Sequence, residues 1–385
     1  MRFARALAEP GLSFIAEVKR RSPSAGALRP NADPAALATE FAAAGARAIS
    51  ILVDDRFGGS LSDLRAARAS TDVPLLAKGF FSTAAHLAEA RDAGADAALL
   101  LLRDLDDDRA VELLEYAGRL GMDALVEAHD AKELARASGL KAPVIGINAR
   151  DLATFVIDRR AQLELVRHAP KDRVIVAESG IETRAQAAAA ELAGADAVLV
   201  GSTLMRSEDP GEKLRELSSR PLVKVCGLTR QEDVDAAVDA GVDFVGFVFA
   251  NGSPRRAPRL FDVPPTVLSV AVFVGEALPT GADLVQLYDD APGAPRGRDA
   301  ALLRDGEVVA RVVDQPWNRS DPAHWDLAAR LDGRVMLAGG LGPENVKQAI
   351  ARVRPWAVDA SSALESAPGI KDHARVRAFI EAARS

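Results

Sequence analysis

Short apolar runs recur along the chain at near-regular intervals, each bounded by glycine or polar residues. Ala-rich segments of helical periodicity lie between them. One junction repeats: a helical segment, a glycine, a small or acidic residue, then an apolar run. It stands at Gly45-Ala46-Arg47, Gly94-Ala95-Asp96 and Gly194-Ala195-Asp196, and again at Gly241-Val242-Asp243 and Gly281-Ala282-Asp283. Glycine suits the left-handed residue that ends a helix. An unbroken apolar run suits a strand buried on both faces. Their alternation predicts βα units built around a parallel sheet.

Up to about residue 218 the pattern predicts eight strands, at 14–19, 48–53, 74–77, 97–102, 123–127, 144–147, 174–178 and 196–200. Helices are expected between them, among others at 34–44, 83–93, 107–120, 131–138 and 183–193. Eight consecutive units predict a closed (β/α)8 barrel. An open doubly wound sheet is the alternative, although no glycine-rich dinucleotide turn follows the first strand. A polar junction, Arg215 to Pro221, separates this half from a second in which the pattern restarts at Leu222. The expected domains are 1–218 and 221–385, two TIM-barrel-type units in tandem. The second should be shortened or irregular. Residues 253–265 and 275–281 leave no room for helices, and Asp305-Gly306 reads as a hairpin turn.

Composition narrows the partners. A net charge of −7 without a basic cluster argues against nucleic acid. A phosphorylated small molecule stays open, because helix N-termini and a few cations bind phosphate locally. The single cysteine, Cys226, fits a reducing compartment. No secretory pattern and no apolar run of about 20 residues is present. The expectation is a cytoplasmic protein with no membrane partner, with the monomer favoured. No His/Cys/carboxylate group has metal-ligand spacing, so no metal or other cofactor is expected.

Barrels of this kind carry their chemistry at the C-terminal ends of the strands. Those ends hold Glu17 and Lys19, Lys78, Glu127, Asn148 and Arg150, Glu178-Ser179-Gly180, and Gly201-Ser202. Alternation along the first strand puts Glu17 and Lys19 on one face and Ala16 and Val18 on the other. The last two motifs follow the seventh and eighth strands, where such barrels hold phosphate. Read alone, Gly201-Ser202 is an ordinary helix start.

In this order, IAEVKRRSPSAG, LLAKGFF, VEAH, IGINARDL, VAESGI and VLVGSTLM resemble indole-3-glycerol phosphate synthase over residues 12–206. The resemblance implies decarboxylating ring closure of 1-(2-carboxyphenylamino)-1-deoxyribulose 5-phosphate. It implies Lys78 as general acid on the carbonyl oxygen and Glu127 as acid/base partner in dehydration. Lys19 and Asn148 would orient the substrate carboxylate and carbonyl. Glu17 and Glu178 would position hydroxyls or the anilino nitrogen, with Arg150 and Ser179 alongside. Ser22, Gly180, Gly201 and Ser202 would hold phosphate. Gly79 departs from the family's aspartate. The family's N-terminal extension is also longer, which leaves residues 1–12 as the expected cover of the pocket.

From residue 222 onward, VKVCGLTR, VGFVFANGSPR, VAVFVGE, LVQLY, LAGGLGPENV, VDASSALE and PGIKD resemble phosphoribosylanthranilate isomerase. That family makes the synthase substrate by an Amadori rearrangement. The resemblance implies Cys226 as general base and Asp314 as general acid. Arg255 would meet the anthranilate carboxylate, and Asp359 matches the aspartate of the last strand. Gly339, Gly340, Ser361 and Ser362 would cradle phosphate. Tyr288 stands where the family prefers histidine, Ala363 where it prefers glycine, and Asn318 to Pro322 replace an expected glycine-rich stretch. Two other readings remain at this stage: a synthase whose second half is a non-catalytic module, and a different phosphosugar-handling barrel.

Overall fold

The computed structural model describes residues 1–22, 26–151, 154–289, 299–315 and 323–385. It divides into two compact units, Met1–Glu182 with Ala187–Ser218, and Thr183–Gln186 with Ser219–Ser385. Each contains a closed eight-stranded barrel.

In the first unit the strands are β1 (Ser13–Val18), β2 (Ala48–Leu52), β3 (Leu75–Lys78), β4 (Ala97–Leu101), β5 (Asp123–Ala128), β6 (Val144–Asn148), β7 (Val174–Glu178) and β8 (Ala197–Val200). All neighbours are parallel, and β1 closes the ring against β8. The pleat sorts the side chains into two populations. Phe14, Ala16 and Val18 of β1 join the layer between barrel and helices, as do Leu75 and Ala77 of β3. Ile15, Leu76, Leu125, Val144, Val176 and Leu199 fill the barrel interior. Continuing each inward row by two residues reaches Glu17, Lys78, Glu127, Gly146, Glu178 and Gly201. The polar ends therefore converge because every strand shares one parity.

The helices are α1 (Arg2–Leu7), α2 (Pro34–Ala43), α3 (Leu61–Ser70), α4 (Ala84–Asp92), α5 (Asp107–Arg119), α6 (Ala131–Gly139), α7 (Arg159–His168), α8 (Arg184–Ala193), α9 (Ser202–Arg206) and α10 (Pro210–Ser218). The repeated acidic residue of the junction is structural. Asp96 accepts the backbone N–H of Leu75 at 3.0 Å, and Asp196 that of Ile175 at 2.8 Å. In the second unit Asp243 accepts from Val223, and Asp283 from Ser269, both at 2.8 Å. Each aspartate thus satisfies an amide at the start of the preceding strand. Gly94, at φ +102°, supplies the left-handed step that brings Asp96 there.

Residues 1–12 do not cover the pocket. Phe3 and Leu7 are fully buried in the barrel interior cluster. The Ala4 amide donates to Asp123 at the start of β5 (3.1 Å), and Ser13 Oγ donates to the Leu7 carbonyl (3.3 Å). Helix α1 therefore plugs the N-terminal end of the barrel. Its apolar pair, four residues apart on one face, needs apolar surroundings, and the opposite end is polar.

The second barrel comprises β9 (Leu222–Cys226), β10 (Phe244–Val248), β11 (Leu268–Val274), β12 (Leu284–Tyr288), β13 (Asp299–Arg304), β14 (Glu307–Val313), β15 (Val335–Leu337) and β16 (Ala357–Ala360). Strand β13 runs antiparallel to both neighbours, and the other pairings are parallel. Asp305 and Gly306 join β13 to β14 with positive φ at both residues, as a two-residue primed hairpin turn requires. Among the described residues, no helix stands between β10 and β11 or between β11 and β12. The helices are α11 (Gln231–Asp239), α12 (Ala323–Ala328), α13 (Val346–Val353) and α14 (His373–Arg384). The stretch Asn318 to Pro322 lies outside the described residues. Among the described residues, no helix is long and apolar enough to cross a membrane.

Candidate active sites

The C-terminal mouth of the first barrel encloses a cavity of about 360 Å³. Its lining includes Glu17, Lys19, Lys78, Glu127, Asn148, Arg150, Ser179, Gly180, Gly201 and Ser202. Ser22 is not part of that lining; it sits in a short two-stranded ribbon paired with Gly26. Lys78 Nζ lies 2.5 Å from Glu178 Oε2, 3.4 Å from Glu17 Oε2 and 3.8 Å from Glu127 Oε2. Lys19 donates to Glu17 Oε1 at 2.6 Å, and Asn148 to Glu127 Oε1 at 3.0 Å. The Arg150 backbone N–H donates to Asn148 Oδ1 at 3.0 Å, which sets the amide's orientation.

Burial opposes the charge on Lys78, but Glu178, Glu17 and Glu127 outweigh it and keep the ammonium protonated far above its usual range. Glu17 is pushed up by burial, and Lys19 and Lys78 reverse this and hold it ionised. Glu178 behaves otherwise. Burial, reinforced by the charges of Glu127 and Glu17, overcomes Lys78 and raises its carboxyl to about 8. The site thus holds carboxylates that differ in proton affinity around one ammonium.

Several contributors carry no obvious chemistry in the sequence. A Cβ on Gly146 would stand 2.1 Å from Glu178 Oε1, so this glycine makes room for that carboxylate. One on Gly201 would stand 2.3 Å from Glu17 Oε1 and 2.9 Å from Lys19 Nζ. At Gly79 it would lie 2.9 Å from Val53 Cγ2, so the family's aspartate would need the wall to shift. Phe57, Phe80, Leu52, Ile157 and Arg206 also line the cavity, giving it apolar walls and a second arginine. A glycine inside a strand was the available signal for Gly146.

The second barrel links Asp359 to Asp314 through one chain of hydrogen bonds. Lys224, fully buried, donates to Asp359 Oδ2 at 2.6 Å and to Gln286 Oε1 at 2.9 Å. Gln286 Nε2 donates to the Tyr288 hydroxyl at 2.8 Å, and that hydroxyl donates to Asp314 Oδ2 at 2.7 Å. Cys226 is two residues beyond Lys224 on the same face. A Cβ on Gly246 would lie 2.7 Å from its Sγ and 3.0 Å from Lys224 Cε. Burial raises the thiol's pKa, while Lys224 favours the thiolate. Burial also raises Asp314, to about 6, against the hydrogen bond from Tyr288. Tyrosine at the family's histidine position therefore still reaches the candidate acid.

Arg255 forms a two-bond pair with Glu365, at 2.8 and 2.9 Å, and Lys371 joins that carboxylate at 2.9 Å. A Cβ on Gly227 would lie 2.8 Å from Ser361 Oγ and 2.9 Å from Arg255 Cδ, so both flank the loop after Cys226. Gly339 and Gly340 face Asp314 and Gln315 in the same way. Ser362 opens the one-turn helix Ser362–Leu364. Lys224, Gln286 and Glu365 were missed in the sequence, where each reads as strand or turn polarity.

Converged lysines and carboxylates at the C-terminal mouth define an acid–base enzyme of the (β/α)8 barrel class. A family model for indole-3-glycerol phosphate synthase matches residues 1–217. One for N-(5′-phosphoribosyl)anthranilate isomerase matches residues 323–382. A multifunctional tryptophan biosynthesis protein of Phycomyces blakesleeanus is 32% identical over 486 aligned residues, covering 98% of this chain. The chain spans 63% of that protein's length. Indole-3-glycerol phosphate synthase of Streptomyces griseus is 47% identical over 213 residues, covering 55% of this chain and 79% of its own. The crystal structure of phosphoribosyl anthranilate isomerase from Thermotoga maritima is 29% identical, with a TM-score of 0.34, and covers 43% of this chain and 98% of its own. The chain belongs to the indole-3-glycerol phosphate synthase family, and residues 323–382 of its second barrel match the isomerase model.

Proposed function

We propose that this chain is a bifunctional enzyme of tryptophan biosynthesis. The second barrel isomerises phosphoribosylanthranilate to 1-(2-carboxyphenylamino)-1-deoxyribulose 5-phosphate, and the first closes that product to indole-3-glycerol phosphate. The observation that carries the synthase half is Lys78, held between Glu178, Glu17 and Glu127 at the cavity mouth.

In ring closure a ring carbon attacks the ribulose carbonyl, and negative charge develops on the carbonyl oxygen. The partly shielded Lys78 ammonium meets that oxygen and gives it a proton, forming the hydroxyl. Carbon dioxide then leaves and the ring regains its electron pair. The new hydroxyl leaves as water with a proton from a neighbouring ammonium, as ionised Glu127 takes the proton from the adjacent carbon. Lys19 and Asn148 orient the carboxylate and carbonyl, while Glu17, Glu178 and Arg150 fix the polar substituents. Gly180, Gly201 and Ser202, with backbone N–H groups at a helix start, receive the phosphate; Ser179 shapes that turn.

In the isomerase half Asp314 protonates the furanose ring oxygen as its bond to C1 breaks, Cys226 removes the proton from C2 of the resulting iminium, and the enolamine so formed tautomerises to the aminoketone. Arg255 takes the anthranilate carboxylate, and Gly339, Gly340, Ser361 and Ser362 take the phosphate. Asp359, through Lys224, holds a cation beside the base. A barrel that keeps such a polar network beside the candidate acid and base fits catalysis better than a structural module, for which apolar packing would serve. Complementation of two tryptophan auxotrophs, one lacking each activity, tests the proposal. Growth of both supports it. Rescue of the synthase strain alone would make the second barrel non-catalytic on this substrate.

A further inference from the structure

Among the ionisable side chains at the synthase mouth that have no part in the mechanism above is His129. His129 follows β5, two residues beyond Glu127, and α6 begins just after it. Glu133 Oε2 accepts both the His129 backbone N–H (2.9 Å) and ring Nδ1 (3.0 Å). A carboxylate only accepts, so Nδ1 carries the hydrogen. The other ring nitrogen, Nε2, is buried and lies 3.1 Å from Glu127 Oε1, at ion-pair distance but without the alignment of a hydrogen bond.

Helix capping alone does not explain this arrangement. Asp130 already caps α6, accepting the Glu133 N–H at 2.8 Å. In the reciprocal bond of a capping box the Asp130 amide would donate to Glu133. Glu133 instead reaches one residue further and grips the ring. Glu127 is affected unequally at its two oxygens. Oε1 meets His129 and Asn148, whereas Oε2 is buried, lacks a hydrogen-bond partner and faces Lys78 at 3.8 Å.

We propose that His129 is a positioning residue of the synthase: clamped by Glu133, its ring stands as an ion-pair partner against one oxygen of Glu127 and leaves the other facing Lys78. The inference rests on the synthase reading, in which Glu127 takes the proton. A carboxylate on each ring nitrogen favours the imidazolium. Burial opposes that charge, yet Glu127 and Glu133 raise the ring to about 9. Burial likewise pushes Glu127 up, and His129, Lys78 and Asn148 together bring it down to about 2. The groups facing Glu127 are therefore Lys78 from β3, Asn148 from β6, His129 from its own strand end and the like-charged Glu178 from β7. His129 itself faces Glu127 and, from α6, Glu133.

Glu127 works as a base only when ionised, so turnover falls as pH drops through its pKa. Removing the imidazolium raises that pKa and moves the acid limb upward. The experiment measures kcat and KM against pH in the full chain for wild type, His129→Gln, His129→Ala and Glu133→Gln. The acid limb should rise by about one pH unit or more in His129→Ala and by less in His129→Gln, which keeps a neutral donor. Glu133→Gln should shift it in the same direction, and KM should change by less than about threefold, since the ring does not bind substrate. Unmoved limbs in all variants, with only kcat or stability reduced, would make His129 merely structural and overturn the proposal. The carboxyl 13C titration of Glu127 in the substrate-free protein gives a readout independent of turnover. Its midpoint should rise in His129→Ala. An unchanged midpoint overturns the inference, whereas absent indole product in the wild type overturns only the synthase reading on which it rests.

Discussion

Lys78 concentrates the electrostatics of the first site, with three carboxylates within 3.8 Å of its Nζ. Lys78→Ala should lower synthase turnover by about 10²-fold or more, the scale of a lost acid/base group. A strand-end cation is not core, so folding measured by thermal melt should change little. In the second barrel the Tyr288 hydroxyl donates to Asp314 and stabilises its ionised form, countering burial. Tyr288→Phe should therefore raise the Asp314 pKa further. Burial holds Cys226 above its usual value, so on the roles proposed for them the reactive form, thiolate with protonated Asp314, is a minor species of the singly protonated pair. That pair exists between the two pKa values, and its lower limit belongs to Asp314. The acid limb of isomerase turnover should move upward from about pH 6 in Tyr288→Phe. A limb that stays put would disconnect Tyr288 from the acid. Residues with their own chemistry, such as Glu17, Lys19 and Glu127, were legible in the sequence because strand parity and position sufficed. Gly146 and Gly246 were not, because their role is an absence required by a side chain on a neighbouring strand.

At the scale of elements, the glycine-then-aspartate junction explains why the βα pattern was so regular. Each aspartate receives an amide from the preceding strand, as Asp196 does from Ile175. Asp196→Ala leaves that amide short of its acceptor and should cost about 1–3 kcal/mol of stability. Because Asp196 sits at the N-terminal end of the barrel, synthase kcat of the folded protein should be unchanged. A drop in kcat without a drop in melting temperature would contradict this division. The reversed strand β13 was signalled by Asp305-Gly306, since few other residue pairs accept two positive φ angles. Residues 1–12 were misread because their expected place came from the family's longer extension over the pocket, whereas Phe3 and Leu7 pack into the barrel interior.

At the scale of the molecule, the polar mouth and the plugged base of the first barrel divide function from stability. Phe3→Ala should cost about 3–5 kcal/mol by emptying a fully buried aromatic site. It should leave the synthase KM unchanged, because α1 does not reach the cavity. A raised KM would return this segment to the role of pocket cover. The central claim is that one chain carries two separable activities, one per barrel. Product analysis after feeding phosphoribosylanthranilate to wild type, Lys78→Ala and Cys226→Ala tests it most directly. Wild type should yield indole-3-glycerol phosphate, and Lys78→Ala should accumulate the carboxyphenylamino-deoxyribulose phosphate. Cys226→Ala should leave the substrate untouched, yet still form the indole product when given that intermediate. Loss of both activities in either folded variant, or isomerisation persisting in Cys226→Ala, would contradict the account.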